Sequence, residues 1–393
     1  MKKSGCGQRP AKKMKEMTGV RNRLESLDAL RGFDLFCLVA LESVMHALNG
    51  AADAEWLRPL MWCFTHVEWE GLSTWDLVMP LFLFMSGVSI PFALGRYRGA
   101  SARRAVYWRI VKRVLLLWVF GMICQGNLLG LDPDRLYLYS NTLQAIAVGY
   151  LAAALLFLHT RLLTQAGVAV MLLLMYWGAM SWIQVDGYGG GNYTPDGNLA
   201  EWVDRTVLGR WRDGATVEQG RVVFAGGYHY TWVLSSLNFI VTVLTGLFAG
   251  QILKHDRLTP ARKIGWLLLA GLGMMLAGWA WSFDQPVIKR LWTSSMTLIS
   301  SGCCMALMAL FYGLIDYKHW WRPGTWLRVY GMNSIAAYML AVCVSFRSIG
   351  ESVFYGLQPY LGSYYGVWME ICNAAVIYLI LRELYRRQIF LRV

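Results

Sequence analysis

Hydrophobic segments of about 20 residues recur along this chain, and they constrain its fold more than any other feature. A segment of this length is what an α-helix needs to cross a hydrocarbon core about 30 Å thick. The composition agrees, because 56% of the 393 residues are hydrophobic and only 16% are charged, against roughly 25% charged residues in soluble domains. The sequence therefore predicts an all-α polytopic membrane protein and excludes soluble and disordered classes.

About ten membrane-spanning helices are expected in one bundle. They are predicted near residues 27–48, 77–95, 108–131, 140–159, 162–183, 231–253, 264–283, 292–315, 327–346 and 364–384. The sequence shows no clear internal repeat and no low-complexity segment. We therefore interpret residues 25–393 as one transmembrane domain, preceded by a basic tail at residues 1–24.

The net charge of +13 is concentrated in short connections beside the apolar segments. This is the positive-inside pattern, so it predicts that both termini are cytoplasmic and requires no nucleic acid partner. The longest connections, 49–76 and 184–230, then lie outside, and the protein is expected in the inner (cytoplasmic) membrane. A secretory signal is the alternative for the N-terminus, but the basic region is long and the first apolar segment carries charges.

The eight cysteines and six histidines do not show the spacing of a disulfide framework or of a metal site. Most cysteines lie inside apolar segments. A metal site could be assembled from His46, His66, Glu70 and His229 only by guesswork, without a supporting spacing. We expect neither a metal ion nor a structural disulfide.

Charged residues in the first predicted span form one candidate site. Asp28, Arg31 and Asp34 are three apart and share a helix stripe, on which Arg31 can pair with either carboxylate. Glu42 lies deeper and has no partner in its own helix. Charged groups in a hydrocarbon core are costly and mark functional sites, although an ion cluster at the interface is the structural alternative for the first three.

A second group of polar residues surrounds His66 in the first outer loop. Glu68, Glu70 and Asp76 are close to it in sequence, and no other histidine on the outer side has acids crowded around it. Imidazole suits proton transfer near neutral pH, and a carboxylate can fix its tautomer. His66 is therefore the candidate proton acceptor.

The outer loop 184–230 is rich in glycine and aromatic residues. Its pattern predicts turns followed by a short helix near 199–208. Asp186, Tyr193, Asp196 and Trp202 fit a surface that binds sugars through carboxylates and ring stacking. A solvated cap on the helix bundle is the alternative.

Several segments of the chain resemble the heparan-α-glucosaminide N-acetyltransferase family of membrane enzymes. They are 27–34 (LDALRGFD), 66–71 (HVEWEG), 76–90 (DLVMPLFLFMSGVSI), 143–147 (LQAIA), 193–199 (YTPDGNL), 289–295 (KRLWTSS) and 331–334 (GMNS). The block from 66 to 90 is the most specific, and the likeness extends from about residue 24 to about residue 384. The opening motif also occurs in the broader acyltransferase-3 membrane family.

The resemblance implies that acetyl-CoA from the cytoplasm enters the bundle and acetylates an amino sugar, the terminal glucosamine of a glycosaminoglycan-like acceptor, on the far side. The family's catalytic histidine matches His66, and Asp76, one of the three acids near it in sequence, is a further catalytic candidate. The family's active-site asparagine matches Glu42, which we interpret as a second base or an amine-binding carboxylate. Gln144 also departs from the family, because relatives carry a basic residue after it. A homodimer is compatible with this resemblance.

The expected reaction suggests further site residues. Candidates to bind the acceptor or the tetrahedral oxyanion are Trp69, Glu70, Asn141, Gln144 and Asn333. Candidates to bind the CoA phosphates at the inner mouth are Arg31, Asp34 beside it, Arg103, Arg104, Lys112 and Arg113. Interhelical hydrogen bonds and positive-inside topology are the structural alternatives for these two sets.

Two other functions are compatible with the sequence. One is an O-acyltransferase that acts on a cell-envelope polysaccharide. The other is a proton-coupled secondary transporter, which would predict an inverted repeat and broken helices at the bilayer midplane. For an acetyltransferase, the sequence leaves open whether the acetyl group rests on His66 or passes directly to the acceptor.

Overall fold

The computed structural model describes residues 24–52, 54–98, 103–226 and 229–391. Of the predicted basic tail, only Leu24 is among them, and the rest lies outside the described residues. The helices are α1 Glu25–Phe36, α2 Glu42–Ala51, α3 Leu57–Met61, α4 Val78–Leu94, α5 Arg103–Cys124, α6 Thr142–His159, α7 Leu162–Trp182, α8 Leu199–Leu208, α9 Ser236–Lys254, α10 Pro260–Trp281, α11 Ser294–Phe311, α12 Thr325–Met332, α13 Ser334–Cys343, α14 Arg347–Phe354, α15 Gln358–Leu361 and α16 Tyr365–Arg386.

Irregular and extended elements complete these helices. A π-helical turn, Cys37–Leu41, joins α1 to α2, and a second one, Tyr312–Tyr317, extends α11. Two antiparallel hairpins lie in the loop between α7 and α9: β1 (Gln184–Val185) pairs with β2 (Tyr188–Gly189), and β3 (Ala215–Glu218) pairs with β4 (Arg221–Phe224).

Seven helical segments in the described ranges are long and apolar enough to cross a membrane. They are Trp75–Tyr97, Thr142–His159, Leu162–Trp182, Ser236–Lys254, Pro260–Trp281, Ser294–Tyr317 and Arg347–Arg386. Each overlaps one of the predicted spans, which confirms an all-α polytopic membrane protein. The count of ten spans and the cytoplasmic location of the termini stay predictions.

The remaining predicted spans differ in detail from the helices. Residues 27–48 lie in one helical run through α1, the π turn and α2. The span predicted at 108–131 is placed too far along the chain, because α5 ends at Cys124 and Asn127 turns the chain with a φ of 55°. The span predicted at 327–346 is broken at Asn333, whose φ of −118° and ψ of 41° separate α12 from α13.

Helices α4 and α9 pack at the centre of the bundle, and glycine allows their close approach. A Cβ atom on Gly87 would lie 2.0 Å from the Val243 carbonyl oxygen, and one on Gly246 would lie 1.9 Å from that of Phe84. No side chain fits at these distances, so the backbones themselves are in contact. This contact fixes α4, which begins beside the candidate site.

The loop between α7 and α9 is an ordered cap. Helix α8 confirms the helix predicted near 199–208. The Trp202 indole N–H donates to Asp186 Oδ2 at 3.0 Å, and Asp204 accepts a hydrogen bond of 2.8 Å from the backbone N–H of Trp232, just before α9. Because these polar groups bind one another and the bundle, they favour the cap interpretation of this loop over a sugar-binding surface.

Candidate active site

The loop that carries His66 is held by a short pairing with the loop after α10. The Gly71 N–H donates to the Val287 carbonyl at 2.8 Å, and Glu70 forms an antiparallel β-bridge with Ile288. Gly71 has a φ of +118°, which favours glycine, and the chain turns there toward α4. This pairing brings Lys289 to His66 although the two are 223 positions apart in the sequence.

His66, Asp76 and Lys289 meet at the start of α4. His66 Nδ1 lies 2.8 Å from Asp76 Oδ1 and 3.0 Å from Lys289 Nζ, and Lys289 Nζ lies 3.1 Å from Asp76 Oδ1. Asp76 and Lys289 are buried, whereas the His66 side chain is 42% exposed. Asp76 Oδ2 accepts hydrogen bonds from the Ser73 N–H and hydroxyl, each at 3.0 Å, and from the Val67 N–H at 3.3 Å. Asp76 is thus a fixed carboxylate behind the imidazole.

The tautomer of His66 decides what this arrangement can do. Nδ1 either donates to Asp76 or accepts from Lys289, and it cannot do both. When Nδ1 donates to Asp76, Nε2 is the unprotonated nitrogen and can accept a proton. Burial lowers the pKa of the Lys289 ammonium, and the Asp76 carboxylate opposes that shift. The three residues can therefore hold the imidazole ready as a base.

His66 lines a cavity of about 300 Å³, which we call the His66 chamber. Lys289, Tyr230, Trp75 and Glu42 also line it. The Trp75 indole N–H donates to Glu42 Oε1 at 2.9 Å, which fixes this carboxylate. Glu42 of the first predicted span and His66 of the outer loop, separate candidates in the sequence, therefore face the same space.

A second cavity, of about 580 Å³, is lined by Arg31 and Arg113, and we call it the arginine chamber. Arg31 Nη2 donates to the Met85 carbonyl at 3.3 Å, and the Arg113 guanidinium lies 4.0 Å from the centroid of the Tyr150 ring. The two chambers have the side chains of Phe82, Thr142 and Tyr338 in common. A cationic chamber thus adjoins the chamber that His66, the candidate proton acceptor, lines.

Gln144 and Asn333, predicted to bind the acceptor or the oxyanion, line neither chamber. Gln144 is buried at the start of α6, where its Oε1 accepts from the N–H groups of Ser140 at 2.9 Å and Asn141 at 3.1 Å. Asn333 binds the chain near the C-terminus by donating to the Ile389 carbonyl at 3.2 Å. Gln144 thus caps the start of its own helix, and Asn333 joins the break between α12 and α13 to the chain near the C-terminus.

Trp69, Glu70, Asp34 and Lys112 also line neither chamber. The Trp69 indole donates to the Tyr193 carbonyl at 2.9 Å, and Glu70 is in the β-bridge described above. Asp34 is buried, and its Oδ2 has no hydrogen-bond partner among the described residues. Lys112 is exposed. Among the residues predicted to bind CoA, the structure brings Arg31 and Arg113 to one cavity and leaves Asp34 and Lys112 outside it.

Lys289 is the main residue that sequence reasoning missed. Its one signal was its place in the segment 289–295, which resembles the acetyltransferase family. Tyr338 was also missed, since nothing in the sequence distinguishes it from the many other tyrosines.

In the described ranges, no group of three or more His, Cys, Asp or Glu side chains could hold a metal ion. Cys124 and Cys343 meet as free thiols, with their Sγ atoms 3.5 Å apart.

Known proteins with similar sequences include named enzymes. Residues 23–134 match a family model described as a domain of unknown function, DUF5009. The chain is 26% identical over 388 residues to heparan-alpha-glucosaminide N-acetyltransferase of Homo sapiens, covering 86% of this chain and 54% of that protein. The Mus musculus protein of the same name is 26% identical over 366 residues, covering 81% and 53%. This chain is similar to both of these proteins over most of its length.

The resemblance to the heparan-alpha-glucosaminide N-acetyltransferase family, inferred from the motifs, is thereby confirmed. The chain spans about half the length of the curated relatives it matches. The DUF5009 match includes Glu42, His66 and Asp76, and Lys289 lies beyond it.

Proposed function

We propose that this protein is a transmembrane acetyltransferase that moves an acetyl group from cytoplasmic acetyl-CoA to the amine of an amino sugar on the other side of the membrane. The observation that carries the proposal is the His66 imidazole, held by buried Asp76 and Lys289 on the wall of a chamber that adjoins an arginine-lined one. Its relatives are named N-acetyltransferases, and seven helices could place these chambers in a membrane.

The chemistry gives each member of the group a task. The amine nitrogen attacks the thioester carbonyl, the C–N bond forms, and the C–S bond breaks to release the CoA thiolate. The proton that the amine loses passes to His66 Nε2 and from there to the thiolate sulfur. Asp76 accepts a hydrogen bond from the Nδ1–H group and, as a carboxylate, stabilises the imidazolium. Lys289 offsets part of the negative charge of Asp76. Asp76 therefore holds the imidazolium less strongly, which favours the transfer of the Nε2 proton to the thiolate.

The two chambers supply opposite charges to the two substrates. Arg31 and Arg113 suit the anionic CoA donor in the arginine chamber, since guanidinium groups bind phosphates well. Glu42 lies in the His66 chamber, where its carboxylate can pair with the ammonium form of the acceptor and take the first proton, which leaves the neutral amine that attacks the thioester. This carboxylate favours an amino sugar over a neutral sugar as the acceptor.

The acceptor is tested with purified protein in liposomes and acetyl-CoA labelled in the acetyl group. We expect labelled product with glucosamine-terminated oligosaccharides and none with the matched N-acetylglucosamine oligosaccharides, in which the amine is blocked. Label on neutral sugars would instead indicate an O-acyltransferase. Solute accumulation without CoA would indicate a transporter.

The reaction path is tested by rapid quenching in the absence of an acceptor. The result shows whether the label rests on His66 or leaves the donor only when an amine is present.

Lys289 should set the basic limb of the pH–rate profile. Because burial lowers the pKa of its ammonium, activity should fall at a pH below the ordinary lysine pKa of about 10.4. Lys289→Arg keeps the positive charge to higher pH, so its basic limb should move upward. The measurement is kcat/KM from pH 6 to 11, corrected for uncatalysed hydrolysis. Exposed Lys318→Arg is the matched control, and a basic limb shared by wild type and Lys289→Arg would refute this role.

A further inference from the structure

One face of α4 runs past both chambers. It is lined by Val78, Met79, Phe82, Met85, Ser86 and Ser89. Residues three or four apart share a helix face, so this face is continuous from one chamber to the other. Val78 and Met79 line only the His66 chamber, whereas Met85 and the two serines line only the arginine chamber. Phe82 lies at the junction and belongs to both walls.

Tyr338 of α13 faces Phe82 across this junction. The two rings are in edge-to-face contact, with centroids 6.4 Å apart and planes at 70°. The Tyr338 hydroxyl accepts a hydrogen bond of 3.0 Å from Asn141 Nδ2, and Asn141 is buried at the start of α6, next to Thr142. The junction is therefore a pair of rings in contact, one of them anchored to a third helix.

We propose that Phe82, Tyr338 and Thr142 form a septum that determines which acyl groups the enzyme transfers. This inference rests on the proposed function. A donor held in the arginine chamber reaches His66 only when its acyl end passes between the two rings. The His66 chamber beyond, at about 300 Å³, must hold both that acyl group and the reacting end of the acceptor. An acetyl group fits this space, and each added methylene competes with the rings for it.

The acyl preference is measured as the ratio of kcat/KM for butyryl-CoA to that for acetyl-CoA, with one amine acceptor. We expect Phe82→Ala to raise this ratio by roughly tenfold to a hundredfold, the effect of a methylene-sized change in a pocket. Phe82→Leu, a smaller deletion that spares packing, should raise it less. Phe92→Ala is the matched control, because it removes the same ring from the same helix and lines neither chamber. A ratio that stays at the wild-type value in both Phe82 variants would overturn the septum as the acyl selector.

A second experiment tests the septum without acetyl transfer, so that its failure differs from failure of the proposed function. Ser86 lines the arginine chamber, and Ser86→Cys places a thiol there. A membrane-impermeant methanethiosulfonate reagent is added to either face of the liposomes, and modification of that peptide is followed by mass spectrometry. We expect fast labelling from one face only, and labelling from both faces when Phe82→Ala is added. Equal labelling from both faces with Phe82 intact would show that no septum exists.

Discussion

Replacing His66 by alanine should lower acetyl transfer by roughly a hundredfold to ten-thousandfold, the usual contribution of a general acid–base group. The amine must lose its proton as it attacks, and His66, on the chamber wall, is the proton acceptor that we propose. The loss should be in kcat, because Arg31 and Arg113, which we propose bind the donor, lie in the other chamber. Initial rates with labelled acetyl-CoA and a glucosamine acceptor measure it.

Folding of the His66→Ala variant should change little. The side chain is 42% exposed, so its removal leaves no closed cavity, and the Lys289–Asp76 contact of 3.1 Å remains. Thermal unfolding in detergent and titration with CoA should match the wild type. His255→Ala, at an exposed position after α9, should keep full activity. If His66→Ala turns over at the wild-type rate, the imidazole has no catalytic part.

The helices were predictable where one physical rule decides the pattern. A bilayer requires about 20 apolar residues per span. Six of the seven apolar segments were expected close to their observed positions, and the seventh, Arg347–Arg386, contains the span predicted at 364–384. The break at Asn333 was not predictable, because it depends on a tertiary contact. The Asn333 side chain binds the backbone near residues 389–391, more than 50 positions away, and no local pattern records that contact.

In the candidate site, too, residues close in sequence were predictable and those brought together by tertiary contacts were not. His66 and Asp76 were both candidates from sequence because they are ten positions apart, although the sequence did not distinguish Asp76 from Glu68 and Glu70 as the carboxylate beside the imidazole. Lys289 was not paired with them, since two loops bring it there from the other half of the chain. Lys112 and Arg113 looked equivalent in sequence. On a helix, neighbours point about 100° apart, and only Arg113 lies against Tyr150 and lines the arginine chamber. Which neighbour faces inward depends on packing rather than on composition.

Asp76→Asn should be nearly as damaging to activity as the loss of His66. An asparagine behind the catalytic histidine of a serine protease costs about ten-thousandfold, because it supports the wrong tautomer. Here neither orientation of the asparagine amide replaces the carboxylate. In one orientation the NH₂ group points at His66 Nδ1 and Lys289 Nζ. In the other it points at the N–H donors that bind Asp76 Oδ2. The variant should lose kcat at every pH tested, with the donor affinity retained.

Asp76→Asn should also destabilise the fold, because it leaves the Lys289 ammonium buried without its carboxylate. Removing one partner of a buried ion pair costs about 3–5 kcal/mol, and here the side chains are only 1% and 10% exposed. The double variant Asp76→Asn/Lys289→Met removes both charges, so it should regain most of the stability in thermal unfolding. Its activity should stay low, because Nδ1 still lacks its anionic acceptor. If the double variant recovers transfer together with stability, Asp76 acts through folding alone and the proton-transfer role of the group is wrong.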